Sequence, residues 1–516
     1  MKRFGGSMKW FVLACLTLPV MAPAAEPGEA EAFGSISGLQ AEMKSGALTA
    51  SQLTDLYLRR IAELDPKLHS VIETNPDART LANKPLPGPL SGIPILLKDN
   101  IDTGDRMLTT AGSYALVGAG PARQDSTVAE KLRKAGAILL GKANLSEWAN
   151  FRSTHSSSGW SGRGGQTHNA YVLDRNPCGS SSGSGASVAA GLAVAAIGSE
   201  TDGSILCPSA ANGLVGIKPS IGLVSRAGVV PISHNQDTTG PMTRSVADAA
   251  AILTVIAGSD KRDPMTAEAD SHATDYTKFV NPDGLRGKRI GVVRKLMGRE
   301  RHEDKAVEEA IEVMKAQGAI IVDNVELPHL DDLADERMVL AYDFKHDIAA
   351  YLATRPGAPK TLADLIAFNK ANADKEMPWF DQEIFEDAES RGDLNDPKYV
   401  EAQARIKRLA GPEGIDAALA KDHLDALLGS SSAPPCPIDM LAGGGGCGGG
   451  SSRAAAVAGY PSITVPAGYI HDLPLGVTFF GAKWSEGLLI TIASGYEAHG
   501  PKRVQAKLVP TISAEK

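Results

Sequence analysis

The sequence lacks the spacings at which proteins usually hold metals and nucleotides. It contains no C-x-x-C pair, and its 11 histidines never occur as H-x-x-x-H or H-x-x-E-H, the patterns that place metal ligands on one short segment. The glycine run at 443–450 has no lysine where a nucleotide-binding loop places one, and a mobile loop is the favoured interpretation. We therefore expect neither a metal nor a cofactor.

Clustered positive charge and internal linkers are also missing. The 60 Asp and Glu residues outnumber the 52 Lys and Arg residues, and no basic stretch is interleaved with aromatic residues, so nucleic acid is not an expected partner. No Pro/Ser-rich linker or long charge run marks a domain boundary, and 43% of the residues are hydrophobic, which suffices for one large core. The sequence predicts a single domain over 25–516.

The first residues have the composition of a targeting signal. Three basic residues precede an apolar run at 10–21, and an Ala-x-Ala site follows at 22–24. This pattern predicts a secretory signal peptide over 1–24, whose apolar run is too short to span a bilayer. We expect an exported protein, periplasmic or secreted, without stable membrane insertion after cleavage. A lipoprotein with Cys15 as the lipidated residue is the alternative.

Few cysteines remain after the predicted signal peptide. In an oxidising compartment Cys436 and Cys447 could close a loop, but two cysteines in a chain of this length are as often free and buried. The sequence leaves both interpretations open. The other two cysteines are Cys178 and Cys207.

Strand-like and helix-like segments alternate along the chain. Thr49 and Gln52 form a capping-box pattern that predicts a helix ending at Pro66, and the apolar run 93–97 predicts a central strand with Lys98 at its end. Such alternation indicates the α/β class. The further predicted helices are near 127–134, 145–151, 302–317 and 454–460, with helical cover at 331–424; the further strands are near 137–140, 287–293, 319–322, 461–466 and 475–481.

Two serine-glycine turns lie within 176–208, and they are the candidate site of chemistry. Residues 179–183 (GSSSG) also match G-x-S-x-G, in which Ser181 would be the nucleophile of a strand-turn-helix elbow. That motif needs a buried strand directly before it, whereas 171–177 is polar and ends in proline, so the elbow is disfavoured. Tight packing of small residues, without chemistry, is a further interpretation of these turns.

Three motifs together resemble the amidase signature family in order and spacing. They are 92–100 (GIPILLKDN), 179–184 (GSSSGS) and 200–205 (ETDGSI). Within that family the chain is most similar to bacterial exported peptide amidases, which remove the C-terminal amide of peptides. The resemblance implies a large mixed central β-sheet covered by helices on both faces. The likeness extends to 144–151 (NLSEWANF), 216–219 (GIKP), 240–242 (GPM), 459–462 (GYPS) and 475–476 (LG).

The resemblance implies a role for three residues. Ser204 is implied as the nucleophile, Ser180 as a bridging serine held in a cis peptide bond, and Lys98 as the base. A serine hydroxyl needs a base to take its proton, and a lysine can be that base only if burial lowers its pKa. Ser180 can both donate and accept, so it can pass the proton between the other two.

The second turn also offers backbone donors for an oxyanion. We expect the N–H groups of Thr201, Asp202, Gly203 and Ser204 to stabilise the charge that develops on the substrate oxygen. Three residues differ from the usual pattern of the family. Asp202 and Ser182 stand where glycine is usual, and Leu206 stands where arginine is usual. A carboxylate beside the nucleophile is expected to disfavour a free carboxylate at the cleaved position, which is the basis of a hypothesis on substrate preference.

The predicted reaction is hydrolysis of a carboxylic amide through an acyl-enzyme on Ser204. The implied substrate is the C-terminal amide of a short peptide or another small-molecule amide, with release of ammonia, and a monomer is compatible with the sequence. Alternatives are an amidase of other linear, aryl or fatty amides, an amidotransferase subunit that supplies ammonia, and an inactive binding protein on the same scaffold.

Overall fold

The apolar runs of the sequence form the strands of one mixed, 11-stranded sheet. The structure is a computed structural model that describes residues 1–2, 5–6, 27–444 and 450–512. The strands are β1 (Val71–Thr74), β2 (Pro94–Lys98), β3 (Ile138–Ala143), β4 (Trp160–Ser161), β5 (Gly165–Gln166), β6 (Ala195–Glu200), β7 (Val215–Lys218), β8 (Thr238–Thr243), β9 (Arg289–Val292), β10 (Ile320–Val322), β11 (Ala426–Ser430), β12 (Ser462–Ile470) and β13 (Leu473–Phe480), of which β4 and β5 form a separate hairpin.

The order of the strands brings two chain segments to one edge of the sheet. The order is β1-β3-β2-β6-β8-β7-β12-β13-β11-β9-β10, and β2 pairs in parallel with both β3 and β6. Every residue of β2, β3 and β6 is buried. Successive side chains of a strand face opposite sides, so both faces of the sheet are covered here. Because parallel strands end at the same edge, the ends of β2 and β6 lie side by side.

Seventeen α-helices are present in the described residues; α3, α9 and α17 pack against the sheet, whereas α10 and α14 pack against each other. The stretch predicted as helical cover contains α10 to α15, which confirms that prediction. The helices are α1 (Glu29–Ala32), α2 (Ile36–Ser45), α3 (Ala50–Leu68), α4 (Ala78–Ala82), α5 (Thr127–Lys134), α6 (Ser182–Ala189), α7 (Leu206–Ala211), α8 (Val246–Ile256), α9 (Arg301–Ala316), α10 (Glu336–Leu352), α11 (Leu362–Ala371), α12 (Ala373–Glu376), α13 (Glu383–Glu389), α14 (Pro397–Ala410), α15 (Ala417–Asp422), α16 (Ser452–Ala458) and α17 (Glu486–His499).

Two local predictions differ from the structure. Helix α3 has the predicted capping box but continues to Leu68, past Pro66, because a proline in the last turn removes only one backbone donor from a helix that is already formed. The segment predicted as a helix near 145–151 is a short 3-10 turn at Glu147–Asn150. Its residues 148–150 have φ values of 49°, 55° and 69°, a left-handed backbone that cannot continue an α-helix.

The two ends of the chain contribute differently to the described structure. Apart from residues 1–2 and 5–6, the predicted signal peptide and Cys15 lie outside the described residues, as does Cys447, and no helix within the described ranges is long and apolar enough to cross a membrane. Near the C-terminus, Val509 donates to Tyr171 O at 3.0 Å and accepts from Leu173 N at 2.8 Å. The last described residues therefore pair with the segment that leads into the first serine turn.

Candidate active site

Lys98 is buried at the end of β2, where it faces the first serine turn. Its Nζ lies 2.7 Å from Ser180 Oγ, and it donates to Ser199 Oγ at 2.9 Å and to Ser199 O at 3.2 Å. Burial lowers the pKa of Lys98 to about 7, against the opposing effect of the carboxylates of Asp237 and Glu200. At neutral pH roughly half of the amine is therefore uncharged.

The two serine turns contact each other through their backbones. The N–H of Ser180 donates to Ser204 Oγ at 3.2 Å, and the N–H of Ser181 donates to Ser204 O at 3.2 Å. Since Ser204 Oγ accepts the Ser180 N–H, its own proton is left for another acceptor. Lys98, Ser180 and Ser204, predicted from separate motifs, are thus brought together at one edge of the sheet.

The first turn is made without the predicted cis peptide bond. The described residues contain none, so that part of the prediction is wrong. Cys178 and Gly179 instead have φ values of 63° and 55°, and two consecutive left-handed residues reverse the chain with trans bonds. Glycine is required at the second position because a Cβ on Gly179 would lie 2.5 Å from Cδ of Pro208.

The second turn presents backbone N–H groups that have no partner. In the ranges that the structure describes, the N–H groups of 201–204 donate no hydrogen bond, whereas those of Ile205 and Leu206 donate to Glu200 Oε2 at 2.7 Å and 3.0 Å. Glu200 therefore satisfies the start of α7 and leaves the turn before it free. These are the N–H groups expected to stabilise an oxyanion, and that role stays a prediction.

Asp237, which directly precedes β8, holds the second turn in position by hydrogen bonds. It accepts the Thr201 hydroxyl at 2.6 Å and the N–H groups of Ile232 and Ser233 at 2.7 Å and 2.9 Å. Burial raises the pKa of Asp237 to about 6, although these hydrogen bonds oppose the shift. The position of the turn thus depends on a residue that no local sequence pattern singled out.

A disulfide joins the two turns, and it was not predicted. Cys178 is bonded to Cys207, so the position two residues before Ser180 is tied to the position three residues after Ser204. Cys436 is disulfide-bonded as well. Its pairing with Cys447 stays a prediction, because Cys447 lies outside the described residues.

The second turn lines an open cavity of about 560 Å³. Thr201, Asp202, Gly203 and Ser204 all face it, and Gly203 has a φ of 77°, a left-handed conformation that suits glycine. A volume of this size lies within the range of small-ligand sites. The remaining wall is mixed. Its polar side chains include Asn150, Ser158, Ser431, Ser452 and Arg453, and its apolar side chains include Phe151, Ile232, Leu296, Leu330 and Leu340.

Two other features are not parts of this site. Ser181, the nucleophile of the disfavoured elbow, is fully buried, and within the described residues its hydroxyl bonds only the backbone of Ser199, at 3.0 Å and 3.2 Å. A larger cavity of about 780 Å³ is lined by none of Lys98, Ser180 and Ser204. The buried guanidinium groups in its wall are already paired with carboxylates. The pairs are Arg226 with Asp263 and Arg355 with Asp102.

Comparison with known proteins extends over nearly all of the chain. The family model for amidases matches residues 52–490, a range that contains all three clustered residues. A probable amidase of Arabidopsis thaliana is 40% identical over 483 residues, 90% of this chain and 89% of its own length. A glutamyl-tRNA(Gln) amidotransferase subunit of Carboxydothermus hydrogenoformans is 34% identical over 481 residues, 88% of this chain and 95% of its own length.

Solved structures give the same result. The native peptide amidase of Stenotrophomonas maltophilia has a TM-score of 0.87 and 49% identity, covering 92% of this chain and 98% of its own. The peptide amidase PAM in complex with the competitive inhibitor chymostatin has a TM-score of 0.88 and 49% identity, covering 92% and 99%. The chain has the mixed sheet and the helices of these enzymes, and it belongs to the amidase signature family of amide-hydrolysing enzymes.

Proposed function

We propose that this protein hydrolyses the C-terminal carboxamide of peptides and releases ammonia, through an acyl-enzyme on Ser204. The observation that carries the proposal is a chain of contacts that starts at buried Lys98 and ends at Ser204 in the cavity wall: Lys98 Nζ lies 2.7 Å from Ser180 Oγ, and Ser180 N–H donates to Ser204 Oγ at 3.2 Å. The two structures named as peptide amidases, each 49% identical to this chain, support the choice of peptide amides.

The first step is acylation. In its neutral form Lys98 donates its two N–H groups to Ser199 and directs its lone pair at the Ser180 hydroxyl. Ser180 passes its proton to the amine and takes one from Ser204, whose oxygen attacks the amide carbon. The free N–H groups of 201–204 stabilise the oxyanion, and each such donor contributes about 3 to 4 kcal/mol to the transition state.

The later steps return the proton and release both products. The relay delivers the proton to the departing nitrogen, the C–N bond breaks, and ammonia leaves the acyl-enzyme. A water molecule then gives its proton to the same relay, attacks the ester carbon of Ser204 and displaces the serine oxygen. The balance is one amide and one water consumed, with one carboxylic acid and one ammonia formed.

The polar part of the cavity lining, which faces apolar side chains such as Phe151 and Leu340, favours a peptide over a fatty amide. Hydroxyl and amide side chains of Asn150, Ser158, Ser431 and Ser452 line it, and they offer partners to the C=O and N–H groups of a peptide backbone. A long acyl chain would leave these groups unpaired at a cost of about 1 to 3 kcal/mol each if they were buried by it. Aryl amides and the ammonia-supplying role of an amidotransferase subunit remain the alternatives to be tested.

Export to an oxidising compartment is part of the same proposal. It is supported by the signal-like composition of 1–24 and by the Cys178–Cys207 disulfide, since disulfides persist mainly outside the reducing cytosol. Fractionation of the source cells, with N-terminal sequencing of the mature protein, tests it. Recovery of uncleaved protein in the cytosol would contradict it.

The decisive experiment is a substrate panel. Purified protein is incubated with peptide amides, amino-acid amides, fatty amides and aryl amides, and ammonia or amine release is measured, with Ser204→Ala as the control for contaminating activity. We expect the highest kcat/KM for peptide amides and intact internal peptide bonds by mass spectrometry. Faster turnover of another amide class would overturn the choice of substrate, and no turnover of any amide would overturn the activity.

A further inference from the structure

Two carboxyl side chains lie together beside the nucleophile, and the relay does not use them. Asp202 lines the cavity two residues before Ser204. Arg453, at the cavity wall, places Nε 3.9 Å from Asp202 Oδ2 and 3.1 Å from Glu336 Oε2. The Asp202–Glu336 pair thus shares one guanidinium.

The two oxygens of Asp202 differ in their surroundings. Oδ2 faces Arg453. Oδ1 is buried and has no hydrogen-bond partner within the described residues, although its side chain is 25% exposed. A buried acceptor without a donor costs about 1 to 3 kcal/mol, so an unpaired oxygen beside a nucleophile points to a donor that the substrate supplies.

The charge of the pair suits such a donor. Burial raises the pKa of Glu336 to about 8, and the neighbouring Asp202 carboxylate adds to the effect. Burial also raises the pKa of Asp202, so the two carboxyl groups behave as a coupled pair that holds one proton and one negative charge between them. Glu336 Oε1 is held by Gln236 Nε2 at 2.9 Å, which fixes the pair in place.

We propose that Asp202, supported by Glu336, is a specificity-determining residue that accepts an N–H of the substrate's unsubstituted carboxamide through Oδ1 and repels the carboxylate of the product. The inference rests on the proposed amide hydrolysis at Ser204 and goes beyond it. A carboxamide nitrogen has two N–H donors, an ester has none in the same place, and a carboxylate is an acceptor with a negative charge. The site therefore distinguishes three groups of nearly equal size by hydrogen bonding and charge.

The test uses Asp202→Asn, which preserves shape and removes the charge. For a peptide amide and the methyl ester of the same peptide, we expect the ratio of kcat/KM values to shift toward the ester by about tenfold or more, the effect of one lost hydrogen bond to a charged group. We also expect the inhibition constant of the product acid to fall by about tenfold. The matched control is Asp335→Asn, the same change at a side chain that faces Arg405, which should alter neither quantity.

A second measurement removes the dependence on turnover. In the Ser204→Ala background, calorimetry compares the affinity for the peptide amide with that for the peptide acid, with and without Asp202→Asn. Loss of the preference for the amide supports the inference even if the relay differs from the one proposed. If Asp202→Asn does not fold, Asp202→Gly in the same background, which places the family's usual residue at this position, should weaken the preference in the same direction.

Equal losses on amide and ester, with unchanged inhibition by the acid and an unchanged affinity ratio, would overturn the inference and leave Asp202 as a residue that shapes the turn. Failure of the peptide proposal has a different signature. In that case another amide class is the better substrate, and the same amide-to-ester ratio is measured on that class.

Discussion

Cys178 and Cys207 form a disulfide that joins the two serine turns. The disulfide therefore keeps the segment that carries Ser180 next to the segment that carries Ser204. The bond closes a loop with a sequence separation of 29 residues. By loop-closure entropy such a crosslink stabilises the native state by roughly 3 to 4 kcal/mol. The crosslink therefore acts on both stability and the alignment of the two turns.

The first prediction concerns this disulfide. The Cys178→Ser/Cys207→Ser double variant should lose several degrees in thermal midpoint, as expected for roughly 3 kcal/mol in a chain of this size, and should lose part of its kcat. Reductant should slow the wild type in the same way. Any effect of reductant on the double variant comes from the Cys436 disulfide instead. An unchanged kcat in the double variant would contradict a role of the Cys178–Cys207 bond in aligning the two turns.

The second prediction concerns Lys98 and pH. Because the base must be uncharged and burial lowers the pKa of Lys98 to about 7, kcat/KM should rise with pH and level off above about 7. Lys98→Met should lower kcat/KM by about 10² or more and should still fold, since the amine it replaces is already largely neutral. A pH profile that is flat from about 6 to 8, together with a folded and active Lys98→Met, is the result that excludes the relay.

The third prediction separates the serines of the two turns. Ser204→Ala should lower kcat by about 10³ or more, because it deletes the attacking oxygen. Ser182→Ala is the matched control, since its hydroxyl is buried without a partner in the described structure and its loss should change kcat little. Active-site labelling and mass spectrometry of the acyl-enzyme should locate the adduct on Ser204, and an adduct on Ser181 would restore the elbow interpretation.

The fourth prediction concerns the oxyanion turn. Gly203 has a φ of 77°, and a Cβ there would lie 3.1 Å from Ser452 Oγ. Gly46 has a φ of 81° with nothing within 4 Å of its Cβ position. Alanine at either position should cost about 1 kcal/mol of stability, measured by denaturant midpoint, but only Gly203→Ala should reduce kcat. Equal activity of the two variants would show that the turn does not have to keep its shape.

The parts of the site that could be predicted come from local patterns. The apolar run before Lys98 predicts a buried strand, and its parallel neighbours follow from the α/β alternation, so the burial that lowers the pKa of this lysine was predictable. The resemblance then supplied Ser180 and Ser204. Short motifs determine local turns, and the structure brings these two turns together; the catalytic roles of the two serines stay predictions.

The parts that could not be predicted depend on distant chain segments. Asp237 reaches Thr201 across the sheet edge, and Glu336 lies at the start of α10, more than a hundred residues after the turn it supports. No local spacing indicates such contacts. Four cysteines allow three pairings, so the bond between Cys178 and Cys207 could not be chosen. The need for glycine at 179 comes from Pro208, 29 residues further along the chain, which leaves no room for a Cβ there.

The pairing of Val509 with 171–173 has a practical consequence for handling the protein. Those residues precede the turn of Ser180 by less than ten positions, and Tyr171 also donates its hydroxyl to Val504 O at 2.6 Å. Deleting the chain from about 503 onward would therefore remove these hydrogen bonds from the segment that precedes the catalytic turn. Truncated variants should therefore retain residues 503–512, because these residues hold the segment before the catalytic turn in place.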